Sequence, residues 1–239
     1  MSSLIVTQSG TLTRLTLNRH DKANALNAEL VDALLGAVTA AHTDGTRLLV
    51  LQGEGRNFSA GFDFGGYDEQ SEGDLVLRFV RIEQLLQALY HAPFATLTIA
   101  YGKNFGAGAD LFVAASVRVA APDASFRMPG LRFGLQLGTR RLAQRIGAEK
   151  ARAMLAESRS FDAMAARDIG FVTHVAEQGY WDAVVAKELA RAITLEPDAT
   201  ARLHAATVAD TRAADLADLV ASASHPGLKT RIAEYRKQS

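Results

Sequence analysis

The 239-residue sequence has no cysteine, so disulfides, thiolate nucleophiles and cysteine-based metal sites are excluded, and nothing in it requires an oxidising compartment. The plain expectation is a cytoplasmic protein. An excess of charge of either sign is missing too. The 26 Lys and Arg stand against 26 Asp and Glu with no basic stripe, which argues against a phosphate-backbone binder and so against nucleic acid as a partner. No apolar run approaches the roughly 20 residues of a membrane span, and the opening MSSLIVTQSG lacks a basic stretch followed by an apolar one. Neither membrane insertion nor export is expected. The six histidines are scattered singly, and neither H-E-x-x-H nor G-x-x-x-x-G-K-[ST] occurs, so metal and P-loop chemistry have no support.

What is present is the composition of a folded enzyme-sized domain: 48% apolar and 22% charged residues. The length suits one large α/β domain with an appendage better than two equal domains. Residues 4–7 and 11–17 are β-branched runs around Gln8-Ser9-Gly10 and predict a hairpin. Asn27 is placed to cap a helix whose apolar face is Leu30, Val31, Leu34, Leu35, Val38 and Ala41. RLLVLQ (47–52) then predicts a strand, so strand, helix and strand alternate as in a βαβ crossover. The pattern returns with Leu75, Phe79, Ile82, Leu86 and Leu89 at helical spacing, the buried-type strand ATLTIAY (95–101), a glycine loop, a helix from ADLFVAAS and the strand VRVAA (117–121). From Gly138 onward the chain reads as mostly helical, interrupted by the short strand FVTHV (171–175). Its last part, 198–239, is alanine-rich and poor in large apolar residues, which suggests a segment that closes against a partner subunit.

Two glycine loops, NFSAGFDF (57–64) and NFGAGADL (104–111), each follow a predicted strand, where ligands of α/β folds bind. Small residues at Ser59-Ala60-Gly61 and Gly106-Ala107-Gly108 allow close approach of a ligand to backbone N–H groups, and two such loops converging would form an oxyanion hole. The competing explanation is that these glycines serve turns and packing alone. A dinucleotide fingerprint fits poorly, because the G-x-G-x-x-G spacing is absent and no acid ends a strand about 20 residues beyond.

LNRHDKANALN (17–27), FSAGFDF (58–64), GAGADL (106–111) and SFRMPGLRFG (125–134), in that order, resemble the crotonase superfamily of enoyl-CoA hydratases and isomerases. The resemblance implies an α/β, crotonase-type spiral of repeated ββα units over 1–195, with a C-terminal helical trimerisation segment over 196–239 and a homotrimer or hexamer as the assembly. It implies an acyl-CoA thioester as substrate, with coenzyme A as part of that substrate and no separate cofactor. The N–H groups of Ala60 and Ala107 would be the oxyanion donors. Lys22, Asn24 and Ala25 would border the adenine, Phe62, Asp63 and Phe64 the pantetheine path, and Gly106 and Gly130 the reacting end. Lys22 reads equally well as a solvated loop lysine.

Hydratases of the family carry one glutamate at the position of Asp110 and a second twenty residues on, which here is Gly130. One acid is therefore kept and the other is missing. Asp110 could also be a helix-start aspartate serving the dipole. Two-carboxylate hydration becomes the weaker expectation, and isomerisation or other single-acid chemistry the stronger; decarboxylation and thioester hydrolysis share the same frame. The loop after Gly130 is also shorter than the family pattern. Arg127 and Arg132 flank Gly130, and Asn104, Tyr101 and Tyr67 lie on or near the two loops; an arginine in the vacated space could hold a substrate carboxylate or simply sit beside a turn. His91 reads as a helix-end histidine. Two other classes remain open: a noncatalytic acyl-CoA-binding or partner subunit, and a serine hydrolase built on Ser59, since Clp-type peptidases share the general fold.

Overall fold

The computed structural model describes residues 2–238. Strands β1 (Leu4–Ser9) and β2 (Leu12–Leu17) form the expected hairpin, paired from Leu4↔Leu17 to Ser9↔Leu12. The side chain of Asn27 accepts the Leu30 N–H at 3.0 Å and so caps α1 (Ala28–Ala40), whose stripe of Leu30, Val31, Leu34 and Val38 is buried. β3 (Leu48–Gly53) follows, then α2 (Glu72–Tyr90), opened by a Ser71–Asp74 capping box and closed at His91, and then β4 (Ala95–Ala100). Next come β5 (Lys103–Phe105), α3 (Ala107–Ala114), β6 (Val117–Ala120) and β7 (Ser125–Arg127). A 3₁₀ turn at Gly130–Phe133 leads to α4 (Thr139–Ile146), α5 (Ala148–Glu157), β8 (Phe161–Asp162), α6 (Ala163–Asp168) and β9 (His174–Val175). The tail is helical: α7 (Trp181–Ala192), α8 (Pro197–Thr207), α9 (Arg212–Ala223) and α10 (Leu228–Lys237).

The main sheet runs β1-β2-β3-β4-β6-β9, parallel except for β1, and a small sheet runs β5-β7-β8. Both faces of the main sheet are covered, which explains why Leu48–Leu51 shows no alternation. Leu49 and Leu51 join the core with α1, α2 and α3, whereas Leu48 and Val50 face Val185 of α7 together with Leu97, Ile99 and Val119. The small sheet was not expected from sequence. Its strands have two or three residues, too few to show a period.

The tail departs from the expectation that it is too poor in large apolar residues to bury itself. Leu219 and Ala223 of α9 and Leu228 and Ile232 of α10 lie in the main core, α9 against α2 and α10 against the Gly130–Phe133 turn. Four well-placed side chains suffice because the chain's own helices supply the opposing surface. No described helix is long and apolar enough to cross a membrane.

Candidate active site

β3 and β4 are parallel neighbours, so the loops that leave their C-terminal ends emerge on one edge of the sheet. Backbone bonds stitch the two loops together: Phe58 N–H donates to the Tyr101 carbonyl at 3.1 Å and Phe105 N–H to the Ser59 carbonyl at 3.2 Å. Two glycines permit the approach. A β-carbon at Gly61, which has φ +87°, would overlap the Phe105 carbonyl oxygen, and one at Gly108 would lie 3.0 Å from the Ser59 carbonyl carbon and still nearer its oxygen. These glycines therefore pack the loops against each other, and the convergence expected of them is present.

At this junction α3 begins. Among the described residues no acceptor takes the N–H of Ala107, the first residue of the helix, and Ala107 lines the adjoining cavity. Ala60 lies on the same cavity, but its N–H donates to the Ala23 carbonyl at 2.9 Å. One expected donor is free and the other is engaged.

The cavity holds about 370 Å³. Its wall is apolar, with Phe79, Met128, Phe133, Leu135, Leu137 and Leu155, and α10 roofs it with Tyr235 and Arg236. Phe62, Phe64, Gly106 and Gly130 also line it. Asp110 is its only carboxylate among the described residues. That side chain is buried and accepts no hydrogen bond there, and burial drives its pKa well above the usual carboxylate range, against the pull of the Arg141 charge and with a push from Glu83. Space for the carboxyl comes from Gly138 at the head of α4, where a β-carbon would overlap Asp110 Oδ1. At Gly130 a β-carbon would sit 3.0 Å from the Leu135 carbonyl oxygen, so the short loop closes over the place of a second acid.

Other expected residues lie elsewhere. Asn24 is fully buried and all its polar atoms are bonded within the chain: Nδ2 donates to the Glu54 and Asn57 carbonyls at 2.9 and 3.0 Å, and Oδ1 accepts the Arg19 N–H at 2.9 Å. It braces the first loop, a role hidden in sequence because the acceptors are thirty residues away. Lys22 is exposed on a 3₁₀ turn, Ala25 gives its carbonyl to Arg19, and Asp63 pairs with Arg19 at 2.9 Å; none of the three lines the cavity. Burial is the largest single influence on the Asp63 pKa and raises it, but the Gly65 N–H, the Arg19 pair and the Arg78 charge together outweigh it and leave the pKa lowered.

Arg127 and Arg132 point away from the cavity and cap the end of α5, donating to the Ser158 carbonyl at 3.0 Å and the Glu157 carbonyl at 2.9 Å. Neither holds a substrate carboxylate in this arrangement. Tyr101 donates to the Gly53 carbonyl at 2.5 Å, with its pKa pushed up to about 12 by burial, and Asn104 donates to the carbonyls of its own turn and of Ser125. Tyr67 is buried beside Arg236, whose guanidinium carbon is 5.2 Å from its ring centroid. Ser59 Oγ is buried, donates to the Asn24 carbonyl at 2.9 Å and has no histidine partner among the described residues, so the serine-hydrolase alternative lacks its geometry.

Comparison with known proteins agrees with this architecture. The family model described as enoyl-CoA hydratase/isomerase matches residues 7–226. A probable enoyl-CoA hydratase of Mycobacterium bovis is 31% identical over 188 residues, covering 76% of this chain and 75% of its own. The 2,3-dehydroadipyl-CoA hydratase of Escherichia coli is 34% identical over 180 residues, covering 73% and 69%. A crystal structure from Bordetella parapertussis, assigned to the enoyl-CoA hydratases/isomerases, superposes over 100% of both chains with TM-score 0.99 and 49% identity. The fold is thus of crotonase type, and the chain belongs to the enoyl-CoA hydratase/isomerase family of enzymes.

Proposed function

We propose that this chain acts on acyl-CoA thioesters through a single acid–base group, Asp110, in double-bond isomerisation or related chemistry rather than two-carboxylate hydration. The observation that carries the reading is a cavity with one carboxylate among its described residues and a glycine where the second would stand. Isomerisation requires no more. The Asp110 carboxylate removes a proton from C2 of a 3-enoyl thioester, the electron pair passes to the thioester oxygen, and the same carboxyl returns the proton at C4 to leave the 2-enoyl product. No water enters. Burial makes Asp110 a stronger base, as a carbon acid demands. The Ala107 N–H, at the positive end of α3, supports the enolate oxygen, and Ala60 joins it once its N–H turns from Ala23 or is shared with it. Coenzyme A enters only as part of the substrate and follows Ala60 to Phe64 at the mouth.

The acyl tail is apolar in this reading, since the deep wall offers Met128, Leu135, Leu137 and Leu155 and the nearby arginines are turned away. The test is a panel of 3-enoyl, 2-enoyl, saturated and ω-carboxylated acyl-CoAs in D2O, separated by chromatography and read by mass. We expect 3-enoyl to 2-enoyl conversion and C2 exchange for the uncharged tails, with the ω-carboxylated ones at least about tenfold poorer, as an unpaired buried charge requires. Calorimetric silence toward every thioester at millimolar concentration removes the reading. The engaged Ala60 N–H favours a second reading, an acyl-CoA-binding chain without turnover, for which calorimetry with the same thioesters gives heat while the panel gives neither conversion nor exchange.

Assembly as a trimer or hexamer belongs to the proposal as well. One place where apolar side chains remain open is the end of α7 and α8, where Ile193, Leu195 and Leu203 are exposed. Light scattering at micromolar concentration is expected to give a multiple of 25.6 kDa, and a monomer at that concentration contradicts it.

A further inference from the structure

Behind Asp110 lies a group of charges that the chemistry above does not use. The side chains of Glu83 on α2, Arg141 on α4 and Asp215 on α9 are 1%, 2% and 5% exposed. Arg141 grips Glu83 with both ends of its fork, Nη1 to Oε1 at 2.8 Å and Nη2 to Oε2 at 2.5 Å, and Nη1 also donates to Asp215 Oδ2 at 3.2 Å. Neighbours add further bonds: Gln87 donates to Glu83 Oε1 at 2.8 Å and Thr211 to Asp215 Oδ2 at 2.7 Å, while Arg140 serves the remaining oxygen, Asp215 Oδ1, at 3.2 Å.

Ion clusters of this kind carry a heavy desolvation cost, and an apolar trio of the same volume could join the three helices equally well. Their location is therefore the informative part. Asp110 Oδ1 rests on Gly138 at the head of α4, and Arg141 stands in the first turn of that same helix, while α2, which bears Glu83, packs on α3, which bears Asp110. Two carboxylates around one guanidinium leave the trio with a surplus negative charge, and Arg140 divides itself between Asp215 and the solvent-side Asp218. Other charges on these elements are directed elsewhere. Arg145 of α4 faces the Val113 and Ala115 carbonyls, Arg132 the Glu157 carbonyl, and Arg236 of α10 the rings of Phe64 and Tyr67 at the mouth.

We propose that Glu83, Arg141 and Asp215 are positioning residues, a buried ion cluster that fixes the head of α4 beneath Asp110 and sets the charge its carboxyl faces. The inference rests on Asp110 as the acid–base group of the site. Burial dominates the upward shift of the Asp110 pKa; of the cluster charges that act on it, Arg141 lowers it more than Glu83 raises it, so each carboxylate of the cluster acts by offsetting the guanidinium.

Glu83→Gln keeps the shape and one acceptor for Arg141 while removing a negative charge, and Asp215→Asn does so from a different helix. In each variant we expect two midpoints to move to lower pH: the acid limb of kcat, and the titration of Asp110 itself followed by 13C NMR of its carboxyl. The double variant moves further. Arg141→Lys, which keeps the positive charge without the fork, is expected to lose thermal stability with a midpoint near that of the parent. A scaffolding role alone lowers Tm and leaves the midpoints in place; unmoved or raised midpoints in both Glu83→Gln and Asp215→Asn overturn the proposal. If the NMR midpoint moves while turnover is indifferent to Asp110, the assignment of Asp110 as acid–base group fails and the charge coupling stands.

Discussion

Asp110→Asn is expected to lower turnover on the best substrate by roughly 10²–10⁴, the usual value of general acid–base assistance, while calorimetric affinity for the CoA thioester stays nearly unchanged. Asparagine retains the size and a hydrogen-bonding oxygen but cannot carry the proton from C2 to C4. A second effect runs the other way. The native carboxyl binds its proton more tightly than the unfolded chain, whose value is near 3.8, so its contribution to stability is complete at low pH and is lost as pH rises through the native value. Asparagine removes that loss. Tm against pH is therefore expected to fall less steeply in the variant, with a gain at neutral pH that disappears in acid. Full activity in Asp110→Asn would show that the proton is handled elsewhere.

Gly108→Ala is expected to damage the site by steric means alone. Gly108 has an ordinary φ, so alanine strains no dihedral there, yet the new methyl would drive into the Ser59 carbonyl. The loops must part to admit it. Overpacking of this kind costs about 1–3 kcal/mol. Displacing the Ala107 N–H from Ala60 by even ~1 Å is enough to cost about 10²-fold in rate. The control is Gly36→Ala in α1, where nothing lies within 4 Å of the added carbon and a gain of about 0.5–1 kcal/mol is expected. Denaturant unfolding and steady-state rates on both variants check the pair. Parent-like activity in Gly108→Ala would mean that the tight seam between the loops is not what builds the site.

The parts of this fold that could be read from sequence are those that repeat a period or run long enough to need none. The hairpin, α1 with its Asn27 cap, α2, and the apolar runs of β3 and β4 lie where the pattern puts them. The two glycine loops were legible as small residues following strands, whereas Asp110 stood out only through the resemblance to the family. The rest depends on meetings between distant segments. Gly138 shows as a helix start in sequence, whereas its service to Asp110 is a contact across twenty-eight positions. Asn24 sits beside residues that resemble a ligand border, and only the fold shows its amide turned inward. A signal for the ion cluster did exist: Glu83 occupies the buried stripe of α2 among Phe79, Ile82 and Leu86, and an acid at such a position calls for a partner. Its partner Arg141 is 58 positions away, and Asp215 is a further 74 from Arg141, beyond the reach of any periodic argument.

That separation also orders events during synthesis. A nascent chain emerges at about 5–20 residues per second and a domain folds as a unit, and here that unit includes Leu219, Ala223, Leu228 and Ile232 of the tail. The sheet, the glycine loops and Asp110 are synthesised before α9 brings the third member of the ion cluster and α10 roofs the cavity. Without α10 the cavity lacks Tyr235 and Arg236 and the core lacks Leu228 and Ile232, so one helix completes the site and the core together.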